Sequence, residues 1–178
     1  MMGKKRSGFT LIELIIVIFL MLLIYSLVFT YYKKEQKRPQ PLAPSNLKET
    51  LLRSIPSGEY ATFLCTHECQ TCYLRTGDKN RFVPYSDALD LEGTESYAVD
   101  GEEELSLLEY GKFNGEDVCL KIDFYPNKSS TQIVLKNPGG IYFLPAFFGK
   151  TRKVDTLEEA QAMWLENTNL VSDEGDYY

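Results

Sequence analysis

The chain is poor in the residues that most enzymes need. It has one His and one Trp in 178 residues. It contains no Gly-x-Ser-x-Gly elbow, no phosphate-cradling Gly loop and no His-Glu-x-x-His pair, so hydrolase, nucleotide and zinc-protease chemistries have no visible site. No cofactor is expected. Basic residues are also scarce over most of the length. From Ser45 to Tyr178 there are 12 Lys and Arg against 23 Asp and Glu, a formal balance of −11. A region that acidic argues against nucleic acid or anionic lipid as its main partner. One more absence is local: Phe9 to Tyr32 holds no Lys, Arg, Asp, Gly or Pro, and one acid, Glu13.

That apolar run is 24 residues, about 36 Å as a helix and enough to cross hydrocarbon with some tilt. Fifteen of residues 11 to 29 are Leu, Ile, Val or Phe. At roughly 0.3 to 0.6 kcal/mol each they favour insertion by about 4 to 9 kcal/mol, against roughly 2.5 to 3.5 for one carboxylate at the helix centre. A helix here inserts despite Glu13, but insertion gives no reason for an acid. A cleavable secretory signal does not fit, because the run exceeds 7 to 15 residues and has no small-x-small site near Ser26 to Tyr32. Lys4, Lys5 and Arg6 precede it, and Lys33, Lys34, Lys37 and Arg38 follow, so charge alone leaves the orientation open.

The stretch Lys4-Lys5-Arg6-Ser7-Gly8-Phe9-Thr10-Leu11-Ile12-Glu13-Leu14-Ile15-Ile16-Val17 resembles the start of type IV prepilins and type II secretion pseudopilins. In that family a basic leader ends in Gly, then come Phe, Thr-Leu-Ile-Glu and an apolar helix. The resemblance implies cleavage after Gly8 by a prepilin peptidase and methylation of the new Phe9 amine. It places Glu13 at the fifth mature position, where an intramembrane carboxylate needs a partner and the Phe9 ammonium of a neighbouring subunit supplies one. It also implies a leader in the cytoplasm, a head in the periplasm, a bacterial inner-membrane location, and partners among other pilin or pseudopilin subunits and the inner-membrane assembly platform. Secretion pseudopilus and pilus are equally covered. Two departures point to a minor subunit. The helix lacks the Pro usual in major pilins, and Pro39, Pro41 and Pro44 interrupt any long spine into the head. The alternative is a membrane-anchored periplasmic binding module that never enters a fibre, with Glu13 merely reaching the interface.

The expected organisation is a leader over 1–8, an assembly and transmembrane helix over 9–32, a basic Pro-rich linker over 33–45 and a globular head over 46–178. The head reads as α+β, with an antiparallel sheet and short helices. Asn46 and Glu49 have capping-box spacing for a helix from about Leu47 to Ile55. Tyr60–Leu64 and Tyr73–Arg75 read as strands around a cysteine-bearing turn. Leu105–Phe113 and Asp117–Tyr125 flank Asn114-Gly115, a favoured hairpin pair. Further strands are expected over Thr131–Lys136 and Ile141–Leu144, with a Thr156-capped helix to about Asn167.

Cys65, Cys69, Cys72 and Cys119 are even in number and belong to an oxidising compartment, which favours two disulfides with three possible connectivities. Cys65 with Cys72 across the hairpin, leaving Cys69 for Cys119, is one of them. Cys69-Gln70-Thr71-Cys72 also has thioredoxin-like spacing, and the cysteines with His67 could ligate zinc, but neither the surrounding pattern nor the spacing is that of such sites. Nine acids and no Lys or Arg lie between residues 87 and 109. They lack EF-hand spacing and read as a solvated, partner-facing loop rather than a calcium site.

Overall fold

The computed structural model describes residues 10–35, 40–77, 81–147 and 149–173, with side chains omitted for 27–35 and 169–173. It divides into two compact units, Met1–Gln40 and Pro41–Tyr178.

Among its described residues the first unit is one helix, α1 (Leu11–Glu35). With no Gly or Pro to interrupt it, the helix continues three residues past the apolar run. Its described large side chains, Leu11 to Tyr25, are all exposed, between 45% and 76%. A helix that is apolar on every side needs a covering medium or partner. Among the described residues no helix is long and apolar enough to cross a membrane. The described side chains of α1 end at Ser26, about 24 Å from Leu11, against about 30 Å of hydrocarbon. Phe9 and the side chains of 27–32, parts of the expected span, lie outside the described residues.

The second unit contains two five-stranded antiparallel sheets where one was expected. The first runs β3-β2-β1-β7-β6, built from β1 (Ala61–Thr66), β2 (Thr71–Thr76), β3 (Val83–Pro84), β6 (Lys112–Phe113) and β7 (Glu116–Phe124). The second runs β10-β9-β8-β4-β5, from β4 (Glu95–Val99), β5 (Leu105–Leu107), β8 (Ile133–Asn137), β9 (Gly140–Leu144) and β10 (Arg152–Val154). Alternation decides which faces meet. On β7, Leu120, Ile122 and Phe124 are buried while Lys121 and Asp123 are only partly so. They join Phe63 of the first sheet and Ile133, Leu135 and Leu144 of the second in one core. The opposite face of the second sheet offers Val134, Phe143 and Val154, which α3 (Leu157–Asp173) covers with Ala160 and Trp164. Thr156 caps α3: its Oγ1 accepts the Glu159 N–H at 3.2 Å, and the Glu159 carboxylate accepts the Asp155 N–H at 3.0 Å.

α2 (Leu47–Ser54) buries Leu47 and Leu51, one turn apart, in the main core. The expected capping box does not form. The Asn46 side chain turns back instead, accepting the Ala43 N–H at 2.9 Å and donating to the Pro41 carbonyl at 3.0 Å. The end of the expected linker is also stitched to the head. Leu42 is buried, donates its N–H to Ala88 O at 2.7 Å and accepts the Asp90 N–H at 2.8 Å.

Two further expectations change. The run Leu105–Phe113 is not one strand: Leu105–Leu107 pairs with β4, while Lys112–Phe113 pairs with β7. The break falls at Gly111, whose φ of 77° turns the chain between the sheets. Beyond it Asn114 (φ 53°) and Gly115 (φ 88°) make the tight turn. The acidic stretch is not simply a loop, since it contains β4 and β5. Its acids remain on the surface, while Ser96 is buried and its hydroxyl donates to Cys119 O at 2.7 Å.

Candidate functional site

α1 begins at Thr10, whose carbonyl accepts the N–H groups of Glu13 at 3.0 Å and Leu14 at 3.3 Å. Glu13 therefore stands in the first turn, with an exposed side chain. Unpaired N–H groups give that end of a helix partial positive charge, so a carboxylate is tolerated there better than at mid-helix. Gly8 and Phe9 lie outside the described residues. Thr10 to Glu13 itself has capping-box spacing, a local sequence signal for the start of the helix.

The four cysteines form two bonds, Cys65–Cys72 (S–S 1.98 Å) and Cys69–Cys119 (1.99 Å). Cys65 and Cys72 face each other in the β1–β2 register. Between them His67, Glu68 and Cys69 have φ of 52°, 53° and 65°, three consecutive non-glycine residues in the left-handed region. Each such residue costs roughly 1 to 2 kcal/mol, so the turn persists only because it is over-determined. Several contacts supply that determination. Gln70 N–H donates to His67 O at 3.0 Å, Gly93 N–H to Glu68 O at 3.0 Å, and the Gln70 amide to Glu92 Oε1 at 2.8 Å. The buried Cys69 is then tied to β7.

With these bonds made, Cys69 and Cys72 are not partners of each other, and no free thiol remains among the described residues for metal or exchange. Nor does any described group of three His, Cys, Asp or Glu converge on a point that could hold a metal. Asp100 is a structural acid. Its Oδ1 accepts the N–H groups of Glu102 at 2.9 Å and Glu104 at 3.1 Å, and Oδ2 accepts the Ser106 hydroxyl at 2.9 Å. The Ser106 bond first, then the two backbone N–H groups, hold its carboxyl below the usual value.

Residues 3–28 match the family model for the prokaryotic N-terminal methylation motif, the signature of type IV pilins and pseudopilins. The motif supports a pilin-like protein processed by a prepilin peptidase and points to assembly with other pilin subunits. No curated protein and no solved structure matches the chain.

Proposed function

We propose that the chain is a minor subunit of a type IV pilus or type II secretion pseudopilus. The peptidase cuts after Gly8 and methylates Phe9. α1 is held in the inner membrane until the assembly platform moves the subunit into a fibre. The leader is then cytoplasmic and the head periplasmic, where the two disulfides suit an oxidising compartment.

The observation that carries this reading is the start of α1: a methylation motif running directly into a helix apolar on every side, with a single acid in its first turn. Removing the leader deletes three cations and leaves an amine four residues before Glu13. Inside hydrocarbon, a carboxylate and an ammonium from adjacent subunits neutralise each other, which selects one axial register among many that apolar packing alone would permit. The head requires no catalytic apparatus for this work. Its core, turns and disulfides keep a contact surface in shape while the helix is extracted.

The test is mass spectrometry of the mature N-terminus. Methylated Phe9 supports the reading, whereas an intact Met1 in a host with an active prepilin peptidase favours the anchored, non-assembling module.

A further inference from the structure

Each sheet has two edge strands, and an unpaired edge invites an added strand unless charge, Pro or shortness blunts it. Three of the four described edges are blunted. β3 is two residues ending in Pro84, β6 is two residues starting with Lys112, and β10 carries Arg152 and Lys153. β5, Leu105-Ser106-Leu107, carries no charge, and Leu107 is 54% exposed. Two flanking bonds fix its place in the ladder: Leu108 N–H to Ser96 O at 2.8 Å and Asp100 N–H to Glu104 O at 2.9 Å. Residues of an antiparallel strand alternate between bonding the partner strand and facing away from it. With Ser106 opposite Ala98, the backbone of Ser106 turns to β4, and the backbones of Leu105 and Leu107 turn outward. Two N–H groups and two carbonyls thus line this edge. No described turn, loop or side-chain hydrogen bond reaches them.

The flanks of β5 are acidic. Glu102, Glu103, Glu104 and Glu109 are exposed and take part in no described ion pair. The opposite edge of the same sheet is basic. Lys150 and Arg152 are exposed and likewise in no described ion pair, while Lys153 Nζ is held by Gly139 O at 2.8 Å. One acid, Asp155, follows them before α3 begins. β10 and β5 are each three residues long.

We propose that β5 of one copy pairs with β10 of a second copy of this chain, with the acidic flanks of one against the basic edge of the other. Main-chain bonds supply the attraction any added strand would feel, and the charges select this one. β5 and β10 lie at opposite ends of one sheet, so the contact is heterologous. Even a few copies make an open row rather than a closed dimer. A three-residue pairing is weak between dilute chains, but heads tethered side by side meet at effective concentrations on the order of mM. Neither the leader nor Glu13 enters the contact, so it can fail without the fibre reading failing.

The test uses the full-length chain in detergent micelles, with hydrogen–deuterium exchange read at single amides over a concentration series up to about 1 mM. Pairing predicts that the Leu105 and Leu107 amides exchange roughly tenfold more slowly once the concentration is about ten times the dissociation constant. Glu102→Lys/Glu104→Lys and Lys150→Glu/Arg152→Glu change exposed side chains that hold no described contact, so both variants keep the fold. Each alone should lose the slowing. An equimolar mixture of the two should recover it, since every edge then meets one of opposite charge. Exchange that stays independent of concentration overturns the pairing. Slowing that either variant retains also overturns it, because another surface is then covering β5.

Discussion

In the proposed assembly, Glu13 pairs with the Phe9 amine of a neighbouring subunit. Under that proposal, replacing it by Leu removes a group that costs energy in lipid from a helix whose apolar side chains favour insertion with or without it. Glu13→Leu should therefore leave membrane insertion and leader cleavage unchanged, while incorporation into fibres beside wild-type subunits falls severalfold, measured by immunoblotting sheared fibre fractions. Normal incorporation would remove the pairing role. The two disulfides make a second residue-scale contrast. Cys65–Cys72 closes 7 residues of chain and Cys69–Cys119 closes 50. On loop-closure entropy the first contributes about 2.5 kcal/mol and the second about 4. The double variant Cys69→Ser/Cys119→Ser should thus lower the urea midpoint of the head more than Cys65→Ser/Cys72→Ser does. The gap should widen further because Cys69 also restrains the left-handed turn. Equal losses would show that the chain-entropy account misses what these bonds do.

At the level of elements, sequence rules succeeded where the cause is local. Asn114-Gly115 accepts positive φ, so its hairpin could be read directly, and the Thr156 cap of α3 could be read from the acids that follow it. Thr156→Ala should cost about 1 kcal/mol in the thermal or urea unfolding of the head, a loss that Thr156→Ser should largely avoid. Rules failed where the cause is distant. Nothing in Leu105–Phe113 tells that its halves belong to different sheets, since that depends on β4 and β7 arriving from elsewhere in the chain. β4 was hidden because Glu95-Ser96-Tyr97-Ala98-Val99 has one buried polar residue and no apolar alternation. Asn46 had cap spacing, but two backbone partners at Ala43 and Pro41 outcompeted the helix for its side chain. Lys48 gave no signal at all, because a lysine beside a Leu47–Leu51 stripe reads as solvent-facing until its Nζ meets the carbonyls of 145–147.

At the scale of the molecule, the two units answer to different environments. Pro41–Tyr178 buries its own core between two sheets and under two helices. α1 does the reverse, presenting apolar side chains in every direction. Together with the methylation motif, that contrast supports the proposal that the helix is the assembling part. The methylation motif was legible in the order of residues 4–17, because it is written in sequence position rather than in a folded pocket. The central claim is that Gly8–Phe9 is cut, and that the freed Phe9 amine meets Glu13 of another copy or sister subunit. Its most direct measurement is the intact mass and N-terminal peptide of the protein recovered from fibres. A mature chain beginning at N-methyl-Phe9 is the predicted result; a fibre-associated chain still carrying residues 1–8 would contradict the account.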